Sequence, residues 1–228
     1  MSDWDPRDHI PEFVRTLLQR PNPNYTLALF HLLETLKLQR RTGWVNHNIA
    51  NPESISDHMY RMGIMSLLLP QTTTTTSTSS NDKLTINRDR CMKIALVHDL
   101  AESIVGDITP FDEKVDKDEK HRREVRAIQY ICNDIIRPVN RHAAEDIQEC
   151  WNEYEFQSTT EGRYVKDIDK YEMLVQCFEY ERVYGNKRDL SQFYGAVQSI
   201  KTEEVKQWAR ELLIERERFF APKDTESS

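Results

Sequence analysis

Apolar side chains recur along this chain at intervals of three and four. That spacing predicts helices over residues 25–38, 55–69, 88–105, 119–136, 143–154, 163–184 and 203–219. No stretch alternates with the period of two that a half-buried strand needs. Local punctuation agrees. Ser54-Ile55-Ser56-Asp57, following Asn51-Pro52, has the S-x-x-D form of a helix start. Gly106 stands where a left-handed residue commonly ends a helix, and Pro138 cannot continue the helix before it. The fold class that follows is all-α. Residues 71–80 stand apart, reading QTTTTTSTSS with almost no core-forming side chain. They are expected to be a flexible, disordered loop inserted between two helices of one core. The ends, through Asp8 and from Pro222, are expected to be loosely held.

Composition narrows the function classes. The chain has 228 residues, 38% of them hydrophobic, enough for one sizeable domain with a packed core. It holds only 6 glycines, and neither GxxxxGK[ST] nor GxGxxG occurs. Phosphate cradling by a glycine loop is therefore a poor route for this chain. A net charge of −7 argues against a nucleic-acid polymer as partner, because the phosphate backbone would be repelled. No apolar run approaches the ~20 residues that span a bilayer, so no membrane role is expected. Met1-Ser2-Asp3-Trp4-Asp5 lacks a signal peptide's apolar stretch. Cys91, Cys132, Cys150 and Cys177 form no CxxC pair. They read as reduced, buried thiols of a cytoplasmic protein, with the nucleus left open.

Candidate chemistry gathers in residues 89–105, DRCMKIALVHDLAESIV. At 100° per residue this helix is apolar nearly all round, and is expected to be central and buried. His98, Asp99 and Glu102 nevertheless sit in it, spaced so that all three project to one side. Burying two carboxylates beside an imidazole demands compensation, and a divalent cation is the simplest. A plain His–Asp hydrogen bond, with Glu102 reaching solvent, is the alternative. His58 lies on an apolar face, three residues after Ile55 and four before Met62. A satisfied core histidine would look the same. Val165 and Ile168 mark a buried face that Asp169 shares, whereas Asp167 is expected to face water. Two histidines and two aspartates form a mixed nitrogen–oxygen set. It suits Mn²⁺, Co²⁺ or a similar divalent ion, and Mg²⁺ remains compatible.

These residues carry a family resemblance. His58, then His98-Asp99, then Asp169 resembles the H…HD…D pattern of the HD-domain metal-dependent phosphohydrolases. Arg41-Thr42-Gly43-Trp44, the block from Pro52 to Arg61, and Ala95-Leu96-Val97-His98-Asp99-Leu100-Ala101-Glu102 look like the HD domain-containing protein 2 family. So do Val105-Gly106-Asp107-Ile108 and Glu119-Lys120-His121-Arg122-Arg123-Glu124. The resemblance covers roughly residues 25–220 as an HD-domain helical bundle. It leaves 1–24 as an N-terminal extension, 71–80 as an insert and 221–228 as a loose tail.

The resemblance implies a 5′-deoxynucleotidase, with deoxynucleoside 5′-monophosphate as substrate, and a homodimer. It implies His58, His98, Asp99 and Asp169 as metal ligands, held between central helices. Glu102 becomes the proton-transfer residue, with Asp107 in reserve for an acid–base or sugar-binding role or a simple cap. Trp44 becomes a wall against C2′ that would exclude a ribose hydroxyl, or else a core residue. Arg41 and Arg61 become phosphate-contact candidates. Bacterial relatives carry arginine immediately before the tryptophan, where this chain has Gly43, so Arg40 competes with Arg41. Two other classes stay open. One is an HD phosphohydrolase for cyclic nucleotides, guanosine tetraphosphate or deoxynucleoside triphosphates. The other is a non-catalytic, metal-stabilised helical scaffold.

Overall fold

The computed structural model describes residues 4–74, 83–109, 112 and 115–222. In chain order the helices are α1 (Glu12–Leu18), α2 (Tyr25–Leu38), α3 (Thr42–Asn46), α4 (Ile55–Leu67), α5 (Arg88–Val97), α6 (Glu102–Val105), α7 (Lys117–Tyr130), α8 (Arg141–Phe156), α9 (Thr160–Tyr184) and α10 (Glu203–Phe220). The all-α class holds, with one addition. Thr72–Thr74 (β1) and Lys83–Thr85 (β2) pair as a short antiparallel ribbon. The polar run expected to be all loop thus begins as strand, since threonine suits an extended backbone. Residues 75–80 of that run lie outside the described residues.

Helix limits follow local chemistry. Ser54 and Asp57 form a reciprocal capping box at the start of α4. Gly106 ends α6 with φ 81°. After Tyr130 the chain widens into a π-type turn over Ile131–Ile136, where the Arg137 N–H reaches the Cys132 carbonyl, and the helix stops ahead of Pro138. The N-terminal segment is better held than expected. Trp4 stacks on His9 with ring centroids 4.9 Å apart, and Val14 and Leu17 of α1 join the main core. Their apolar contact outweighs the fraying expected of a terminus.

The continuous helix expected over 88–105 is broken. After Val97, the N–H groups of Leu100, Glu102, Ser103 and Ile104 each bond to the carbonyl three residues earlier. This 3-10 winding advances about 120° per residue, so Asp99 and Glu102 eclipse one another. The expectation of burial all round also fails in part, because Leu96 is 48% exposed on the far side from the core.

α9 crosses α8 closely at Gly162. A Cβ there would fall 2.1 Å from the Glu153 carbonyl oxygen, so no other residue allows this approach. Asp169 lies two helical turns further along α9. α4, α5 and α9 pack together around Met62, Ile94, Val165 and Ile168, all fully buried. All four cysteines are buried and free. Among the described residues no helix is long and apolar enough to cross a membrane.

Candidate metal and active site

Three helices and one turn bring the expected ligands together. His58 projects from α4, His98 caps the end of α5, Asp99 follows it, and Asp169 comes from α9. Ligand atoms of His58, His98 and Asp99 lie within 4.8 Å of one another. Asp169 joins them, with Oδ1 3.2 Å from His58 Nε2. Asp99 Oδ2 is 3.2 Å from His98 Nε2 and 3.9 Å from His58 Nε2. The Tyr154 hydroxyl donates to the other Asp169 oxygen at 2.5 Å.

The hydrogen bonds also decide which nitrogens are available. His98 Nδ1 lies 2.9 Å from the Ala95 carbonyl, and His58 Nδ1 lies 2.5 Å from Glu172. Carbonyl and carboxylate oxygens only accept, so each Nδ1 carries a hydrogen and Nε2 is the nitrogen left for a cation. Both Nε2 atoms are buried without a hydrogen-bond partner. Two imidazole Nε2 atoms thus face two carboxylates, which is a donor set fit for a divalent cation. Burial and Arg41 oppose charge on His58, yet Glu172 and Asp169 draw its proton affinity up to about 10, so a cation at Nε2 would take the place of a proton there. Burial likewise opposes the Asp169 anion, but His58 beside it holds it well below the usual range.

Glu102 sits beside these ligands in a different state. Its side chain is buried, and Oε2 has no hydrogen-bond partner. Burial first, then the charges of Asp99 and Asp107, raise it well above the ordinary glutamate value. Both causes favour its protonated form. The alternative in which Glu102 reaches solvent is excluded by its burial.

Of the two neighbouring arginines, Arg41 is the one beside the ligand cluster. Its Nη1 lies 3.2 Å from Asp99 Oδ2, whereas Arg40 donates to the Pro52 carbonyl at 2.9 Å. Asp107 accepts from the Thr42 N–H at 2.5 Å, and its carbonyl accepts from the Thr42 hydroxyl at 2.7 Å. It thereby ties down the first turn of α3, which carries Trp44. Trp44 is buried, packs on Tyr180 and Phe193, and donates from Nε1 to Glu53 at 2.9 Å. Arg61 is not brought to the same opening. It binds Glu172, Gln176 and Glu179, on the Nδ1 side of the His58 ring.

A model of the HD domain matches residues 33–209. The chain belongs to the HD-domain family. Among curated relatives, the 5′-deoxynucleotidase YGK1 of Saccharomyces cerevisiae is 53% identical over 95% of both chains. The 5′-deoxynucleotidase HDDC2 of Homo sapiens is 40% identical over 83% of this chain and 85% of its own. The solved structure of the HD domain-containing protein YGK1 superposes with a TM-score of 0.71, covering 96% of this chain and 99% of that one. The PH0347 protein from Pyrococcus horikoshii superposes at 0.60 with 28% identity, over 84% and 98%.

Within this HD domain one helical-phase expectation is corrected. Asp167 does not face water. It is 2% exposed and accepts from the N–H groups of Lys201 and Thr202 at 2.8 and 2.7 Å. α10 covers that face of α9, and Asp167 supplies acceptors at the start of α10. Residues that sequence reasoning passed over also touch the site. They are Glu172, Glu53 and Tyr154. Lys120, from the 119–124 block, donates to the Ile108 carbonyl at 2.7 Å. Glu172 had a readable signal, lying three residues after Asp169 on the same helical face.

Proposed function

We propose that this chain is a metal-dependent 5′-deoxynucleotidase, hydrolysing deoxynucleoside 5′-monophosphates to deoxynucleoside and phosphate. The observation that carries the reading is the pair of buried imidazole Nε2 atoms facing Asp99 and Asp169, beside a buried Glu102. Relatives named 5′-deoxynucleotidase, from yeast to human, support the substrate class. His58, His98, Asp99 and Asp169 would hold Mn²⁺, Co²⁺ or a similar ion, Mg²⁺ being compatible, which when bound supplies charge for a phosphate oxygen and acidifies a water.

The chain's own groups do the rest. Arg41 offers a second cationic contact to the phosphate from the turn before α3. Glu102 gives its proton to the departing 5′ oxygen as water adds to phosphorus and the P–O bond breaks. Asp107 keeps α3 in place through Thr42, so Trp44 is held as one wall of the sugar site. Arg61 serves the ligand side rather than the phosphate. A cytoplasmic homodimer belongs to the same reading, on the strength of the family resemblance.

The test is phosphate release from a panel of deoxynucleoside and ribonucleoside monophosphates, a cyclic nucleotide and a deoxynucleoside triphosphate. Turnover of the deoxynucleoside monophosphates alone, abolished by chelator and restored by Mn²⁺ or Co²⁺, is expected. Preference for another ester would overturn the substrate assignment. Equal rates on ribonucleotides, with Trp44→Ala changing nothing, would overturn the role of Trp44.

A further inference from the structure

Glu172 is a glutamate with no exposed side-chain surface in the middle of α9. A fully buried carboxylate is retained only where its charge is compensated, and here two partners divide it between them. Oε1 accepts from Arg61 Nε at 2.7 Å and lies 2.6 Å from Arg61 Nη2. Oε2 lies 2.5 Å from His58 Nδ1. The two helices mirror each other in spacing. α4 presents His58 and Arg61 three residues apart, and α9 presents Asp169 and Glu172 three residues apart. The His58 ring is therefore bracketed, with Asp169 3.2 Å from Nε2 on one edge and Glu172 on the other.

That arrangement is more specific than an ion pair between helices would require. Arg61 is already satisfied by Oε1, Gln176 and Glu179. The second oxygen of Glu172 goes to the imidazole alone. A neutral imidazole has one N–H, and it settles on whichever nitrogen meets the better acceptor. At Nε2 the acceptors are Asp99 and Asp169, which would draw the hydrogen toward the metal position. An N–H there would close the lone pair that a cation needs. The carboxylate at Nδ1 is what opposes that.

We propose that Glu172 is a positioning residue. It fixes His58 as the Nδ1–H tautomer and orients the ring, so that Nε2 is open to the metal, while Arg61 holds Glu172 in place. This rests on the metal-site reading above. It adds that a residue touching neither metal nor substrate sets the affinity for the ion.

The probe is Co²⁺. Its binding is followed by calorimetry and by visible absorption in the wild type, Glu172→Gln and Glu172→Leu, alongside long-range ¹H–¹⁵N spectra of the metal-free histidines. The amide oxygen of glutamine still accepts from Nδ1, so Glu172→Gln should stay within about tenfold of wild type. Glu172→Leu should bind Co²⁺ about 10- to 100-fold more weakly and shift His58 toward the Nε2–H form, with turnover recovering as Co²⁺ is raised. If Glu172→Leu fails to fold, Arg61→Leu combined with Glu172→Leu removes both members of the buried ion pair and carries the same measurement. Wild-type Co²⁺ affinity with an unchanged tautomer in the leucine variant would overturn the role of Glu172. Failure of the wild type to bind Co²⁺ would instead overturn the metal site, and this proposal with it.

Discussion

Arg41 reaches from the turn before α3 to within 3.2 Å of Asp99, tying a guanidinium to a carboxylate that also faces two imidazoles. The pair is only partly exposed, so its charge is partly shielded from water, and the cation stays where a phosphate would arrive. Arg41→Ala should weaken transition-state binding by about 1.5–3 kcal/mol, the range for a charged hydrogen bond. In steady-state kinetics kcat/KM should fall about ten- to a hundredfold. Co²⁺ should still bind. An unaltered kcat/KM would remove Arg41 from the substrate site.

Asp169 takes part in two contacts, His58 and Tyr154. Asp169→Ala should abolish turnover and leave the purified protein without stoichiometric metal, as read by elemental analysis. Tyr154→Phe removes only the hydrogen bond, and should lower metal affinity far less. Full activity in Asp169→Ala would dismiss the ligand set.

Glu102 provides a separate handle on proton transfer. Glu102→Gln keeps the shape but has no acidic proton to give. kcat should drop by about 10²–10⁴-fold while Co²⁺ affinity remains near wild type. A loss of metal together with activity would make Glu102 a ligand rather than an acid.

Glu53 sets a pH dependence with a definite sign. Burial and the neighbouring Glu172 raise it from 4.5 to about 7, while Trp44 donates to it. The folded state thus holds a proton that the unfolded state releases at lower pH. The stability tied to that proton is complete below 4.5 and is lost as pH rises through about 7. Glu53→Gln keeps an acceptor for the indole but cannot ionise. The melting temperature of the glutamine variant, relative to wild type in chelator, should rise between about pH 5 and pH 8. A constant difference across that window would contradict the raised value.

Gly162 lets α9 approach α8. A methyl at this position would meet the Glu153 carbonyl at 2.1 Å. Gly162→Ala should cost about 1–3 kcal/mol, the range for overpacking, visible as a lower midpoint in urea. Because α9 carries both Asp169 and Glu172, metal affinity should fall in the same variant.

Much of this site was legible before any coordinates. Periodicity located the long helices, and α2 runs over Tyr25–Leu38 as expected. Phase selected Asp169 for the site, because Val165 and Ile168 mark its face. The same reasoning misplaced Asp167, since it sees one helix at a time and α10 approaches from another part of the chain. The 3-10 turn after Val97 was also hidden. Its side chains are ordinary helix residues, and only the backbone bonds to carbonyls three residues back reveal the tighter winding. α3 is one short turn fastened by Asp107, with too few residues for a period to register. Glu172 shares a face with Asp169, a signal the sequence does carry, but spacing alone does not name His58 as its partner.

The short ribbon between α4 and α5 has a consequence for what this domain tolerates. Thr74 pairs with Lys83, so the backbone on either side of 75–82 is clamped side by side before the chain enters α5. Whatever length of sequence is spliced between those two residues, the helices bearing His58 and His98 receive the same end points. Each doubling of such a loop adds only about 0.6 kcal/mol of closure entropy. The ribbon works as a splice point, a place where a tag, a modification site or a whole inserted module could be carried without respacing the two histidines.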